Sequence, residues 1–68
     1  MKLIMRSEFD NIRLNDDHGL EADSNGDKQI VKIYCGDTLI AKRVKHKKSI
    51  RYFGVSDYQK YLSEESSY

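Results

Sequence analysis

The sequence predicts an α+β fold: a small antiparallel β-meander of three to four strands, closed by one short C-terminal helix. Three observations predict it. Gly36-Asp37 separates two runs rich in Ile, Val, Tyr and Leu. "DSNGDK" supplies a second turn upstream, and "SDYQKYL" carries the marks of a helix start. With 68 residues the chain makes one domain, residues 1–68, around one modest core.

Each element follows from local chemistry. "KLIMR" reads as a strand. "SEFDNIRL" offers Phe9 and Ile12 at a helical spacing and Ile12 and Leu14 at a strand spacing; extended structure is favoured. A weak strand over Gly19 to Asp23 reaches the Asn25-Gly26 turn, where both residues tolerate left-handed conformations. "KQIVKIYCGDTLIAKRVK" then forms a hairpin, because Gly36 can take the positive φ of a two-residue II′ turn. That register sets Tyr34 opposite Leu39, Ile33 opposite Ile40 and Lys32 opposite Ala41. Val31, Ile33, Cys35 and Ile40 would share the core face, with Ile30, Tyr34, Leu39 and Ala41 on the other. Residues 49 to 53 would pair with 38 to 45, leaving Lys45, His46, Lys47 and Lys48 as a hairpin tip. Ser56 with Gln59 makes a capping-box pattern, and Tyr58, Tyr61 and Leu62 fall on one stripe of the helix that follows. Residues 63–68 are expected to fray.

Charge is uneven along the chain. Residues 8 to 27 carry seven carboxylates against Arg13, and residues 28 to 52 carry eight cations against Asp37. The total is only +1, so the asymmetry points to an interaction surface, or to two halves that neutralise each other across a sheet. Lys42, Arg43, Lys45, Lys47, Lys48 and Arg51 form the candidate surface for nucleic acid or an acidic partner, with Tyr52 as its aromatic contact. Phosphates need positive charge within reach, and bases stack on an aromatic ring. The alternative partner surface is acidic: Asp16, Asp17, Glu21, Asp23 and Asp27 would meet a basic protein, as an inhibitor or adaptor does. Self-association of the acidic half on the basic half is a third reading.

"SIRYFGVSDYQKYL" resembles the turn and recognition-helix start of helix-turn-helix DNA-binding domains. That resemblance implies that Gly54 makes the turn, Val55 points inward and Ser56 caps the recognition helix. It covers about fourteen residues. Lys60 departs from it, standing where the family places a buried β-branched residue, and the Gly36-Asp37 hairpin competes with the preceding helix it requires. The meander is therefore preferred. The Lys-, Ile-, Asp-, Ser- and Tyr-rich composition, without Pro or Trp, resembles accessory proteins of low-GC bacteria and their phages. It implies a small regulator acting on nucleic acid or on a host protein.

Several chemistries find no support. One cysteine, Cys35, allows no disulfide within the chain and no cysteine-based zinc cluster, so a reducing, cytoplasmic setting is expected. An apolar strand is expected to hold that thiol buried and inert. "MKLIMR" is too short for a signal-peptide core or a membrane span. Asp23, Asn25 and Asp27 alternate as in a calcium loop, but Lys28 replaces the turn glycine and Tyr34 the bidentate glutamate, so a hairpin turn is the better reading. "NDDHG" reads as a solvated loop more than a metal site. No serine lies in a nucleophile elbow and no glycine-rich phosphate loop is present. The expectation is a binding module with no enzymatic activity, no cofactor, no metal and no membrane contact.

Overall fold

In a computed structural model, residues 1–62 are described. The elements are β1 (Lys2–Leu3), α1 (Arg6–Arg13), β2 (Gly19–Asn25), β3 (Lys28–Cys35), β4 (Thr38–His46) and β5 (Ser49–Gly54). One turn of 3₁₀ helix, Tyr58–Tyr61, follows. The strands form one antiparallel sheet in the order β1-β5-β4-β3-β2. The α+β class and the antiparallel sheet agree with expectation, with five strands in place of three to four. The 63–68 tail lies outside the described residues.

The α-helix lies near the amino terminus and not in the C-terminal segment where it was expected. Residues 6–13 are helical, whereas the C-terminal segment makes a single 3₁₀ turn whose N-cap position is Asp57, not Ser56. The Glu8 carboxylate accepts the Met5 N–H at 2.9 Å, satisfying one of the donors a helix start leaves free. Phe9 and Ile12 then bury themselves on one face, a burial that outweighs the Ile12/Leu14 strand spacing and leaves Leu14 exposed. At the other end His18 Nδ1 lies 2.9 Å from the Ile12 carbonyl. A carbonyl only accepts, so Nδ1 carries the proton in this contact, and the "NDDHG" segment closes the carboxyl end of α1.

Three two-residue turns connect the meander: Gly26-Asp27, Gly36-Asp37 and Lys47-Lys48. Gly26 and Gly36 take φ of 61° and 63°, the left-handed values that suit glycine. The Gly36 hairpin begins in the expected register, with Tyr34 opposite Leu39, and then slips by one. Ile33 faces Ala41 and Lys32 faces Lys42, leaving Ile40 as a bulge. The reason is core burial: the extra residue lets Ile40 and Ala41 both enter the core, and the Ile40 carbonyl accepts the Val55 N–H at 3.0 Å. Ala41 is therefore buried rather than on the outer face, and Cys35, expected inside, is exposed.

α1 covers one face of the sheet. Phe9, Ile12, Ile33, Ile40, Ala41 and Tyr58 form the buried core, flanked by Ile4, Val31, Tyr52, Val55, Tyr61 and Leu62. The expected stripe of Tyr58, Tyr61 and Leu62 does pack there. Because the segment before Gly54 is strand β5, the helix-turn-helix arrangement is not formed. No described helix is long and apolar enough to cross a membrane.

Candidate nucleic-acid interface

Cross-strand neighbours in an antiparallel sheet share a face, so the register sorts every charge. Leu3, Phe53, Lys42, Lys32 and Glu21 lie in one row across the five strands. Next to it run Arg51, Val44, Ile30 and Asp23, and then Ser49, His46, Lys28 and Asn25. These rows occupy the face opposite α1. The other face carries the row of Gly54, Ala41 and Ile33 in the core, then the row of Tyr52, Arg43, Val31 and Ala22.

The basic run is thus divided. Lys42 and Arg51 reach the helix-free face; Arg43, Lys45 and Tyr52 belong to the helix side; Lys47 and Lys48 form the turn. Lys45 and His46, expected at the tip, sit inside β4. Tyr52 stacks obliquely on Phe9, with ring centroids 5.3 Å apart, so its ring serves packing. Phe53 takes the outer position instead, half-buried, with Lys42 Nζ 5.5 Å from its ring centre. Phe53, Lys28 and Lys32, outside the expected set, share the helix-free face with Lys42 and Arg51. The signal was the two-residue turn at Lys47-Lys48, which alone fixes that Tyr52 pairs with Arg43 and Phe53 with Lys42.

Lys28, Val44, His46, Ser49 and Arg51 line a shallow hollow of about 370 Å³ at the turn end of this face. Two cations and an imidazole surround an apolar floor, a lining able to hold an anionic group against a flat apolar one. At that same end the Lys47 N–H donates to the Asp27 carbonyl at 3.4 Å, bringing the basic turn beside the Gly26-Asp27 turn.

The acidic residues do not gather in the same way. Asp16 and Asp17 lie in the turn after α1, where the Asp17 N–H is held by Asn15 Oδ1 at 2.9 Å. Glu21 and Asp23 lie on β2, and Asp27 in its turn. Among the described residues one ion pair joins the acidic and basic halves, Glu21 with Lys32 at 3.9 Å. Neutralisation across the sheet is slight, because β3 separates β2 from the most basic strand. Asp23, Asn25 and Asp27 surround a hairpin turn, and no cluster of three or more His, Cys, Asp or Glu converges on a cation position among the described residues. No family model matches the chain, and neither curated proteins nor solved structures give a match.

Proposed function

We propose that this protein is a non-enzymatic binding module that contacts single-stranded nucleic acid through the helix-free face of its sheet. One observation carries the reading: Lys28, Lys32, Lys42 and Arg51 share that face with Phe53, and no described element covers it. Phosphates would meet the four cations while a base stacks on Phe53; stacking of this kind is worth about 1–3 kcal/mol per base. The Lys47-Lys48 turn extends the positive surface beyond the sheet end. An open sheet face suits an unpaired strand whose bases can splay, whereas the one described α-helix is packed on the opposite side. The composition, which resembles accessory proteins of low-GC bacteria and their phages, fits a small regulator of this kind.

Binding to labelled single-stranded DNA, RNA and duplex DNA at low and moderate salt tests the proposal. Affinity should fall steeply with salt. Lys42→Glu with Arg51→Glu should abolish binding, and Lys47→Glu with Lys48→Glu should weaken it. Salt-insensitive binding, or binding indifferent to the first pair, would sink the idea.

A second reading rests on β2, an edge strand of seven residues that are all exposed. A protein partner with a basic extended segment could add to that edge, opposite Glu21 and Asp23. A second copy of β2 fits less well: antiparallel pairing centred on Ala22 would set Glu21 against Asp23 of the other chain, two like charges. Asp23→Lys with Glu21→Lys should then abolish the interaction while strengthening oligonucleotide binding, because both positions lie in the rows of the helix-free face.

A further inference from the structure

The helix side of the sheet holds a second positive feature. Between α1 and strands β3, β4 and β5 runs a groove of about 180 Å³, lined by Arg6, Arg13, Arg43, Asp10 and Tyr52 over Phe9 and Val31. Three guanidinium groups face one carboxylate there. Arg6 Nε lies 3.5 Å from Asp10 Oδ2, on the exposed rim. Arg43 rises from the sheet floor between Val31 and Tyr52. Its Nε is buried and has no hydrogen-bond partner among the described residues. A buried donor left unpaired is costly, and one on a cation more so.

We infer that this groove is a phosphate-binding site, separate from the proposed nucleic-acid face and on the opposite side of the sheet. A phosphate group would lie within the field of Arg43, Arg6 and Arg13, and would accept from Arg43 Nε once that side chain shifts to open the donor to the groove. Arginine presents its donors as a planar fork that matches phosphate oxygens in pairs. The size of the groove agrees: pockets for whole small molecules begin at about 300 Å³, so this one takes a phosphate group and little else. A carboxylate offers only two oxygens to three guanidiniums and matches the site less well. The phosphate can belong to a small phosphorylated molecule or to the end of a nucleic-acid strand, and the two sources are separable.

The test is titration of the ¹⁵N-labelled protein with inorganic phosphate at constant ionic strength, following the arginine Nε–Hε signals. Saturable movement of the Arg43 signal, with a dissociation constant near 1 mM or below, is the expected result. Acetate should reproduce little of it. Arg6→Gln and Arg13→Gln, both exposed at the groove rim, should each weaken phosphate by about tenfold, the loss of one charge-assisted hydrogen bond. Arg43→Lys, which keeps the charge and removes the fork, should weaken it at least as much, and the Arg6 and Arg13 variants cover the case in which it does not fold.

An Arg43 signal that does not saturate, or that acetate moves equally, would overturn the inference. Tighter binding of a 5′-phosphorylated oligonucleotide than of its 5′-hydroxyl twin identifies a strand end as the source. Equal binding of the two, with phosphate still saturating, identifies a small phosphorylated molecule. Lys42→Glu with Arg51→Glu should leave the phosphate titration unchanged, so this site and the proposed sheet interface fail or succeed separately.

Discussion

The Tyr58 hydroxyl donates a hydrogen bond to Glu8 Oε2, tying the helix near the start of the chain to the 3₁₀ turn near the end of the described residues. The same carboxylate accepts the Met5 N–H through Oε1. Glu8 therefore begins α1 with one oxygen and anchors Tyr58 with the other.

That double role makes stability depend on acid. The Tyr58 hydroxyl, and next the Met5 N–H, hold the Glu8 carboxyl below its ordinary value. A carboxylate whose folded value is depressed adds stability that is fully present above its unfolded value, about 4.3, and disappears as pH falls through the folded one. Tyr58→Phe should lower the urea midpoint at neutral pH and flatten its acid limb. The Glu8 bond also raises the Tyr58 hydroxyl above its ordinary value, so this contribution is lost again as pH rises through that raised value. A constant offset between the two proteins at every pH would refute the assignment.

Gly54 is fixed by crowding. A Cβ there would sit 3.0 Å from Tyr58 Cβ and 3.2 Å from Ile4 Cγ2. Neither neighbour is the free end of a long chain, so Gly54→Ala should destabilise by about 1–3 kcal/mol. At Gly19 a Cβ meets nothing within 4 Å, and Gly19→Ala is the matched control. Equal urea midpoints for the two variants would contradict the close approach.

Adjacent aromatics should separate in their effects. Tyr52→Ala removes the ring packed on Phe9 and should lower stability by about 2–4 kcal/mol. Phe53→Ala should cost less in stability and weaken oligonucleotide binding by about tenfold. Thermal melts and binding isotherms on both variants decide it; the reverse pattern would place the nucleic acid on the helix side.

Lys47 is the one non-glycine among the described residues with positive φ, at 57°. Lys47→Gly should relieve up to about 1 kcal/mol of backbone strain, although glycine also loosens the unfolded chain. A raised melting temperature is the expected outcome. A lowered one would mean that the freedom gained by the unfolded chain outweighs the strain relieved at the turn.

Much of the sheet was legible in the sequence because glycine marks its turns: Gly26 and Gly36 stand where the backbone turns left-handed. The helix was harder to read. Met5 occupies its N-cap position, where no side-chain cue of Ser, Asp or Asn announces a start, and the deciding contacts of Phe9 come from β5. The bulge was beyond local reading altogether, since Ile40 and Ala41 are drawn in together by α1 and the Val55 segment. The basic run is visible as a cluster along the chain. Its division between two faces depended on a register that no single strand contains.

The pairing of β1 with β5 bears on the order in which the chain assembles. Three two-residue turns allow each hairpin to zip from its own tip, a local event on the order of 1–10 μs. Lys2 meets Gly54 and Leu3 meets Phe53 only after nearly the whole described chain has been drawn into a loop, which costs entropy before any contact repays it. The meander is thus the early-forming unit, and the amino-terminal segment arrives late. Until α1 docks, Ile33 and Ala41 lack their lid, and the nascent sheet exposes its inner side as well as its outer one. Folding speed and resistance to clumping then rest on how quickly eight helical residues find that surface.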